Sequence, residues 1–453
     1  MSSFPTNIYF LGIGGIGMSA LARYFLARGH RVYGFDRTQT DLCRTLEKEG
    51  ANITYDESVL QEEWRGDCQG DALVVRTPAV RENNLIYKHF VDAGFPMKKR
   101  SEVLGRITSG MTCLAVAGTH GKTTTTAMLA HLFHAANRQV YAFLGGVAVN
   151  YKSNFLEGNE PIVVVEADEF DRSFLHLEPN WAVITNTDSD HLDIYQSKDK
   201  LEESFRLFAN KAKANGALIV QSEVDIPAKF TYTSGDAIAD FKAVDIRIDN
   251  GVYVFRLCTP EGDIDHVTLT LPGKHNVENA VAASALALMN GLTLEQVRSG
   301  LNTFLGVNRR FVWHHRHADF AVIDDYAHHP SELRALINTV LELYPQKKIA
   351  LVFQPHLYSR TRDFVDEFAA ELDRVDAPAL LPVYAARENP DEGMDSSEII
   401  KRMKNVSAVE VDFPFIGEWL EKENPDVVVS AGAGDVDQCM SDLLSFIQKK
   451  SVR

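Results

Sequence analysis

Cysteine is scarce in this chain, and its few cysteines are far apart. The five residues are Cys43, Cys68, Cys113, Cys258 and Cys439, and no two of them form a C-x-x-C pair. This spacing excludes the usual patterns of a zinc ribbon and of a small disulfide-stapled domain. The sequence therefore favours a reducing compartment, and we expect a cytoplasmic protein.

Long apolar runs and an excess of positive charge are also missing. No segment has the ~20 consecutive apolar residues that a membrane span needs, and the N-terminus lacks the basic and apolar regions of a signal peptide. Asp and Glu (62) outnumber Lys and Arg (46), which gives a formal net charge of -16. A general attraction to nucleic acid or to anionic membranes is thereby disfavoured. We predict neither membrane insertion nor nucleic-acid binding, and any phosphate site must be local.

The length of 453 residues exceeds what one hydrophobic core serves. With ~150 residues per domain as a guide, the chain has about three domains. Apolar strands alternate with helical patterns, which is typical of α/β folds. We place the domains at 1–109, 110–312 and 313–453.

The first segment opens with a glycine fingerprint. Residues 8–36, "IYFLGIGGIGMSALARYFLARGHRVYGFD", predict a β-α-β unit. Gly12, Gly14 and Gly17 match G-x-G-x-x-G between strand and helix, and Asp36 ends the second strand. The pattern fits the diphosphate of NAD, the diphosphate of a UDP-sugar, or a tight turn that only packs helix on strand.

A phosphate loop of unusual spelling begins the second segment. Residues 118–126 read "GTHGKTTTT" after the apolar strand "TCLAVA", but Val116 stands where the Walker A pattern has its first glycine. Backbone amides, the Lys122 ammonium and the Thr123 hydroxyl supply the groups that surround phosphates and hold Mg²⁺.

Two later strands of this segment also end in polar side chains. Glu166 and Asp168 follow "PIVVV", and Asp190 and His191 follow "WAVIT". One such cluster alone is typical of a solvated strand end. Because ligands bind at the carboxyl ends of strands in α/β sheets, three clusters in matching places favour a common site. Carboxylates and a histidine there suit a metal ion.

The run "GKHNVENAVAA" predicts a helix that begins at Asn276. Asn279 then lies one turn further on the same side. Two side-chain amides in this arrangement suit the edge of a purine, while a helix cap explains Asn276 equally simply.

The third segment repeats the α/β pattern. "FAVIDDYAHHP", "KIALVFQPHLYSRTRDF" and "DVVVSAGAG" are apolar strands that end in polar or glycine-rich turns. The histidines of "VWHHRHAD" suggest a metal site by number. Strand alternation sends His314 and His315 to opposite faces, however, so we predict a plain surface strand.

The loop "GTHGKTTTT" resembles the shortened phosphate loop, G-T-x-G-K-[ST], of the Mur ligases, the ATP-dependent amino acid ligases of peptidoglycan precursor synthesis. Val116 lies before the first glycine of this shorter pattern and is therefore no exception to it. Eight further motifs of the family occur in order along nearly the whole chain: "GIGGIGMSALA", "EADEFDRSFL", "DHLDIY", "GKHNVENAVAA", "NRRF", "DDYAHHP", "FQPHLYSRTRDF" and "SAGAG".

This resemblance implies three α/β domains: a Rossmann-like N-terminal domain for the UDP-sugar, a central P-loop-type ATPase domain, and a Rossmann-like C-terminal domain for the amino acid. Within the family, the chain looks like the member that adds L-alanine, and this resemblance implies that it joins L-alanine to UDP-N-acetylmuramate through an acyl phosphate. ATP and Mg²⁺ are the implied cofactors, and the resemblance is compatible with a weak homodimer.

The resemblance also implies roles for individual residues. The nucleotide sugar would contact Gly14, Gly15, Gly17 and Asp36. ATP would contact Gly118, Thr119, His120, Gly121, Lys122, Thr123, Thr124, His275, Asn276, Asn279, Arg310 and Asp325. Mg²⁺ would be held by Thr123, Glu166 and His191. Alanine would be received by Tyr326, His328, His356 and Arg360. Lys122, Arg310 and His328 would be catalytic. We expect His328 to be the base, with His356 as the second candidate, because histidine titrates closest to neutral pH.

Two departures from the family affect these expectations. Leu357 follows the histidine of the Q-P-H motif, where relatives often have arginine, so the alanine carboxylate would depend more on Arg360. Sister ligases use a carbamylated lysine after the metal histidine. Phe205 and Arg206 occupy that region here, and we predict no carbamylated lysine.

Three other functions remain open from the sequence. A muropeptide-recycling ligase, which adds a tripeptide to the same nucleotide sugar, shares the motifs of the first two domains. An NAD-dependent oxidoreductase would explain the first glycine motif but not the phosphate loop. A non-catalytic nucleotide-binding regulator would leave the Lys122, Thr123, Glu166 and His191 set without a purpose.

Overall fold

The computed structural model describes residues 4–58, 71–188, 195, 197–249, 251–317, 319–386, 388 and 394–451. The chain divides into two compact units. The first contains Met1–Arg247, Val254–Leu269 and Glu278–Leu305, and the second contains Ile248–Tyr253, Thr270–Val277 and Gly306–Arg453.

The first sheet has five parallel strands in the order β3-β2-β1-β4-β5. Its strands are β1 Asn7–Leu11, β2 Arg31–Phe35, β3 Asn52–Thr54, β4 Ala72–Arg76 and β5 Met97–Lys99. The helices beside it are α1 Ile16–Ala27, α2 Asp41–Glu49, α3 Leu85–Asp92 and α4 Arg100–Thr108. Strand β1 is buried along its whole length, as expected for a parallel strand covered on both faces.

The second sheet has ten strands in the order β15-β14-β13-β12-β11-β10-β6-β9-β7-β8. Its strands are β6 Thr112–Ala117, β7 Tyr141–Ala148, β8 Ser153–Leu156, β9 Ile162–Ala167, β10 Trp181–Ile184, β11 Ala217–Gln221, β12 Phe230–Thr233, β13 Phe241–Asp249, β14 Val252–Thr259 and β15 Gly262–Leu269. The helices of this part of the chain are α5 Lys122–Ala135, α6 Lys198–Asn215, α7 Lys274–Met289 and α8 Leu294–Thr303. Strands β6, β9 and β10 run parallel, so their carboxyl ends lie at one edge.

Helix α1 of the first sheet packs on strands β7 and β8 of the second within the same compact unit. The ring of Tyr24 lies 5.7 Å from that of Phe143 and 6.0 Å from that of Phe155, between centroids. Beside these rings, the buried guanidinium of Arg23 donates a hydrogen bond to the buried amide oxygen of Asn154. Apolar burial and a satisfied polar pair therefore fix the helix that follows the first glycine turn.

Helix α5 carries a buried histidine whose charge state affects stability. One ring nitrogen of His131 lies 2.8 Å from the Tyr151 hydroxyl, and the other lies 3.0 Å from the Thr303 hydroxyl. Burial, together with repulsion from His134, lowers the pKa of His131 to about 4. The folded protein therefore holds this ring neutral, whereas the unfolded chain protonates it below its ordinary pKa of about 6.5.

We expect wild type to lose about 2 kcal/mol of unfolding free energy relative to His131→Gln between pH 7 and pH 5. In this interval the unfolded wild-type chain binds a proton at His131 that the folded chain does not, so stability falls as pH falls. Urea unfolding of both proteins at several pH values measures the difference. A difference that stays constant over this range would contradict a buried neutral ring.

The third sheet has six strands in the order β16-β17-β21-β18-β19-β20. Its strands are β16 Val312–Arg316, β17 Ala321–Asp325, β18 Ile349–Phe353, β19 Ala377–Leu380, β20 Val409–Glu410 and β21 Val427–Ala431. Its helices are α9 Pro330–Leu343, α10 Tyr358–Asp363, α11 Val365–Leu372, α12 Ser396–Ile400, α13 Ile416–Glu423 and α14 Met440–Ser451. Strand β16 is antiparallel and lies at the edge with an irregularity between Trp313 and His315, which confirms the predicted surface strand.

Among the residues that the structure describes, no helix is both long enough and apolar enough to span a membrane.

Candidate functional site

The first glycine turn connects β1 to α1 and is held by an acidic side chain. The Oδ2 atom of Asp36 accepts a hydrogen bond from the Gly14 N–H at 2.8 Å. A Cβ atom on Gly14 would lie 2.6 Å from the sulfur of Cys43, so only glycine fits. Gly15 is the N-cap of α1, and the N-terminus of a helix favours an anion. The diphosphate contacts predicted for this turn remain a prediction.

A basic side chain that was not predicted from the sequence lies beside this turn. A Cβ atom on Gly17 would lie 3.0 Å from Arg100, and the Arg100 guanidinium is 3.5 Å from Oδ2 of Asp168. The neighbouring Lys99 pairs with Asp171 at 2.7 Å. Arg100 thus lies between the glycine turn and the acidic residues that follow β9. The run of basic residues at the end of β5 was the sequence feature from which Arg100 could have been predicted.

The phosphate loop follows β6 directly, which explains why the Walker A spelling fails. Val116 lies inside β6, opposite Glu166 of β9, so the strand continues through the position of the missing glycine. The backbone turns at Gly118 (φ 135°) and Gly121 (φ 80°), and Gly121 is the N-cap of α5. A Cβ atom on Gly121 would lie 2.5 Å from Oδ1 of Asn279. The loop is therefore short, and its two glycines are required by its conformation.

The ammonium of Lys122 lies over the loop. It donates to the carbonyl oxygens of Gly118 at 2.6 Å and Thr119 at 2.9 Å, and it pairs with Oε2 of Glu169 at 2.9 Å. Burial alone would lower the pKa of Lys122, but Glu169 and its acidic neighbours outweigh this and raise it to about 12. Lys122 is thus a fixed positive charge at the loop.

Glu169 is the partner of this charge and was not predicted from the sequence. Its side chain is 1% exposed. Burial raises its pKa to about 7, although Lys122 opposes the shift. The residue stands within the acidic run "EADEFD", where Glu166 and Asp168 had been singled out instead.

The end of β10 holds the loop from its other side. Oδ1 of Asn186 accepts hydrogen bonds from the N–H groups of Thr119 and His120, both at 2.9 Å. The hydroxyl of Thr185 donates to the His120 carbonyl at 2.5 Å. Neither Thr185 nor Asn186 was predicted, although both follow an apolar strand at the edge where ligands bind. Phosphate contacts by Thr119 and His120 remain a prediction, since their N–H groups bind Asn186 in this structure.

Only part of the predicted metal site lies within the described residues. Thr123 is the second residue of α5, and Glu166 lies near the end of β9. A Cβ atom on Gly145 would lie 2.0 Å from Oε2 of Glu166, so that glycine makes room for the carboxylate. His191 lies outside the described residues. Among described residues, no group of three or more His, Cys, Asp and Glu side chains is placed to hold a metal. A hydroxyl and a carboxylate nevertheless suit a hard cation such as Mg²⁺.

The helix predicted to begin at Asn276 begins two residues earlier, at Lys274. The reason is Gly273, whose φ of 104° turns the backbone before the helix. Asn276 lies in the first turn, and its amide donates to the Pro272 carbonyl at 2.6 Å. Asn279 accepts a hydrogen bond from the Thr125 hydroxyl at 3.1 Å. A purine contact by these two amides remains a prediction.

In the second compact unit, Asp325 ends β17 and binds two backbone N–H groups. Its carboxylate accepts from Phe311 and Ala327, both at 2.7 Å. Burial raises the pKa of Asp325 to about 7, although Arg310 and these two bonds oppose the shift. The Arg310 guanidinium lies 5.0 Å from the centre of the Tyr326 ring. Burial, and to a smaller extent the charge of Arg310, lowers the pKa of His275 to about 4.

His328 is held in one tautomer by two oxygen acceptors. Its Nδ1 lies 2.9 Å from the Tyr326 carbonyl and 3.2 Å from Oε2 of Glu332. Because both partners accept, Nδ1 carries the proton and Nε2 keeps its lone pair. Burial lowers the pKa of His328 to about 4, with Glu332 opposing and Arg360 adding to the shift. The expectation that His328 titrates near neutral pH is therefore wrong. The ring is neutral and weakly basic because it is largely removed from water and because Arg360 and Arg310 lie near it.

The four residues predicted to receive alanine form one group. The ring of His328 lies 5.3 Å from that of Tyr326 and 5.8 Å from that of His356, between centroids. The Arg360 guanidinium lies 3.5 Å from Nδ1 of His356, and Arg360 is only 6% exposed. Leu357 is buried, with a φ of 71°. Its apolar side chain offers no charge for a carboxylate, so Arg360 is the cation of this group.

Gly118→Ala is expected to lower the unfolding free energy by about 1–2 kcal/mol and to weaken ATP binding. The reason is that the new Cβ atom would lie 2.0 Å from Oγ1 of Thr185, at a φ that alanine rarely adopts. Denaturant unfolding and nucleotide calorimetry measure the two effects. Gly110→Ala is the control, because nothing lies within 4 Å of its Cβ position. Equal behaviour of the two variants would contradict the described loop.

Three family models match consecutive parts of the chain. The Mur ligase family catalytic domain matches residues 7–112, the Mur ligase middle domain residues 116–287, and the Mur ligase glutamate ligase domain residues 309–434. Together these matches extend over most of the 453 residues.

Individual proteins resemble the chain over nearly its full length. It is 45% identical to UDP-N-acetylmuramate--L-alanine ligase of Christiangramia forsetii, with 95% of each chain covered. The crystal structure of UDP-N-acetylmuramate-alanine ligase from Thermotoga maritima matches at a TM-score of 0.81 and 28% identity, covering 98% of this chain and 99% of that one. A murein peptide ligase from Psychrobacter arcticus shares the fold at a TM-score of 0.72 and 22% identity, with 98% of each chain covered. The phosphate loop, the three-sheet α/β fold and these full-length matches agree, and the chain belongs to the Mur ligase family.

Proposed function

We propose that this protein is an ATP-dependent ligase that joins L-alanine to the carboxylate of UDP-N-acetylmuramate. The products are UDP-N-acetylmuramoyl-L-alanine, ADP and phosphate. The observation that carries the proposal is the 45% identity to an L-alanine ligase across 95% of both chains. The grouping of Tyr326, His328, His356 and Arg360 in the second unit supports it independently.

The first half of the reaction activates a carboxylate. A free carboxylate is a poor acyl electrophile, so one of its oxygens attacks the γ-phosphorus of ATP, ADP leaves, and an acyl phosphate forms. Charge spreads over the phosphoryl oxygens during this transfer, and positioning with fixed cations stabilises it. Lys122 is such a cation, since its pKa is raised to about 12 and its ammonium is held at the loop. Arg310 is proposed as a second.

The second half forms the amide. The ammonium of alanine first gives up one proton, the resulting amine attacks the acyl carbon, the phosphate leaves, and the nitrogen loses a second proton and keeps its third in the amide. We place the alanine carboxylate on Arg360 and the amine near Nε2 of His328, which holds a lone pair because Nδ1 donates. A neutral imidazole of low pKa orients the amine by accepting a hydrogen bond. It receives a proton once the attack has made the nitrogen acidic.

A magnesium ion belongs to this proposal. Thr123 and Glu166 would hold it, with His191 as a third ligand, and the oxygen donors and the space over Gly145 support the placement. When bound, the ion would neutralise charge on the ATP phosphates. Domain limits of 1–109, 110–312 and 313–453, a cytoplasmic location and a weak homodimer also remain proposals.

The direct test is phosphate release from ATP in the presence of UDP-N-acetylmuramate, with L-alanine, with the recycling tripeptide, or with no amino acid. We expect release that requires L-alanine. Release only with the tripeptide would identify a recycling ligase. No release in any mixture would favour a nucleotide-binding regulator or an oxidoreductase, and NAD binding distinguishes these two.

A further inference from the structure

The segment that follows β10 makes several hydrogen bonds to the phosphate loop. We call Thr185 and Asn186 the loop clamp. Besides accepting from two loop N–H groups, Asn186 donates from Nδ2 to the His120 carbonyl at 3.2 Å. The Thr185 N–H donates to the Ala117 carbonyl at 2.9 Å, where the loop leaves β6. The clamp thus fixes residues 117–120 through both donors and acceptors.

This arrangement decides which backbone groups are left for a ligand. The N–H groups of Thr119 and His120 point at Oδ1 of Asn186. The N–H groups that follow, at the N-terminus of α5, belong to the first helical turn and have no intrahelical acceptor. Amides from Gly121 onward therefore form the anion-binding end of the loop, while the two before them hold its shape.

The clamp also controls the position of the lysine. Lys122 is anchored by the carbonyl oxygens of Gly118 and Thr119, which belong to the same two peptide groups as the N–H groups that Asn186 binds. A shift of the Gly118–His120 backbone would therefore move the ammonium as well. The side chain of Asn186 therefore determines the position of the loop backbone and of the Lys122 ammonium.

We propose that Asn186 is a positioning residue for the triphosphate of ATP, acting through the backbone of residues 118–120. This inference rests on the proposed ligase function for its kinetic test, but ATP binding tests it without catalysis. Asn186 touches neither substrate nor metal in this role. Its effect is expected on the affinity for ATP, because the loop that it holds is the proposed binding place of the phosphate oxygens.

The chain provides a matched control at the other end of the same pair of strands. Oδ1 of Asn180 accepts a hydrogen bond from the Cys113 N–H at 2.8 Å, just before β10 and near the start of β6. Asn180 and Asn186 thus make the same kind of bond from an asparagine to the backbone at opposite ends of β6. Only Asn186 reaches the loop.

The experiment compares Asn186→Ala with Asn180→Ala in the full-length protein. Three Michaelis constants, ATP affinity by calorimetry with Mg²⁺, and melting temperature are measured for each. We expect Asn186→Ala to raise both KM and Kd for ATP about tenfold or more, since the Thr119 and His120 N–H groups lose the side-chain acceptor that they share. The Michaelis constants for UDP-N-acetylmuramate and L-alanine should stay within about twofold. Asn180→Ala should lower the melting temperature similarly and leave ATP affinity unchanged.

Thr185→Val is the second variant, because it removes one hydroxyl from the clamp with little change in volume. It should weaken ATP binding in the same direction, which keeps the test available should Asn186→Ala fail to fold. Equal ATP affinity in the Asn186 and Asn180 variants, or a parallel loss for all three substrates, would overturn the proposal. Wild-type protein that binds ATP but releases no phosphate with L-alanine would refute the ligase function and leave the binding comparison intact.

Discussion

Lys122→Ala is expected to lower kcat about a hundredfold, which corresponds to about 3 kcal/mol of transition-state stabilisation. The lost group is an ammonium on a side chain that is 12% exposed, whose pKa is raised to about 12 and whose position is fixed by two carbonyl oxygens. Such a charge requires no reorganisation when negative charge spreads over the phosphoryl oxygens. Steady-state kinetics at saturating ATP separate this effect from weaker binding.

Lys48→Ala is the matched control for this prediction. Lys48 lies exposed on α2, and its loss should change kcat by less than about twofold. The melting temperature of the Lys122 variant must be measured too, because Glu169 loses its partner inside the fold. A folded Lys122→Ala protein with the wild-type kcat would show that Lys122 does not stabilise the transition state of phosphoryl transfer.

Arg360→Ala is expected to raise the KM for L-alanine by about thirtyfold or more, with a smaller effect on the KM for ATP. Removing one partner of a buried pair between a guanidinium and a carboxylate costs about 2–5 kcal/mol of binding free energy. Arg360 is the cation of the group around His356, and the neighbouring Leu357 cannot replace it. Initial rates at varied L-alanine concentration provide the measurement.

Arg360→Lys and Arg362→Ala complete the series. Lysine keeps the charge but loses the planar fork that binds a carboxylate with two bonds, so an intermediate KM is expected. Arg362 is exposed on the same helix α10, and its replacement should leave the KM for L-alanine within about twofold. If Arg362→Ala raised this KM as much as Arg360→Ala did, the amino acid would bind elsewhere.

Much of the fold could be predicted because strand ends carry a strong local signal. Asp36, Glu166 and Asp325 each lie at or near the end of a strand, as the sequence indicated. Parallel pairing of β6, β9 and β10, which the alternation of strands and helices already indicates, then brings their ends to one edge. The phosphate loop was recognisable for the same reason, since glycines between a strand and a helix leave few conformations.

The partners inside the site were harder to predict. Asn186 and Glu169 hold the loop and the lysine through contacts between residues 47 to 67 positions apart in the chain. Nothing in their local sequence distinguishes them from the neighbouring acidic and amide residues. Their roles depend on which side chain faces the loop, and that is decided by packing of the whole sheet.

The protonation states of buried side chains could not be predicted from the sequence either. A histidine in a polar motif suggests titration near neutral pH, but burial beside Arg360 and Arg310 lowers the pKa of His328 to about 4. The helix start at Lys274 instead of Asn276 has a simpler cause, since Gly273 turns the chain earlier than a capping asparagine would. In both cases the prediction used the ordinary behaviour of the residue type, and the neighbouring residues in the fold changed the outcome.

The most direct test of the ligase function is a competition followed by mass spectrometry. The protein is given ATP, Mg²⁺ and UDP-N-acetylmuramate together with equal concentrations of L-alanine and the recycling tripeptide. The expected result is one new nucleotide sugar that carries a single alanine, formed with one ADP per product. A product that carries the tripeptide, or ADP formed without any amide product, would contradict it.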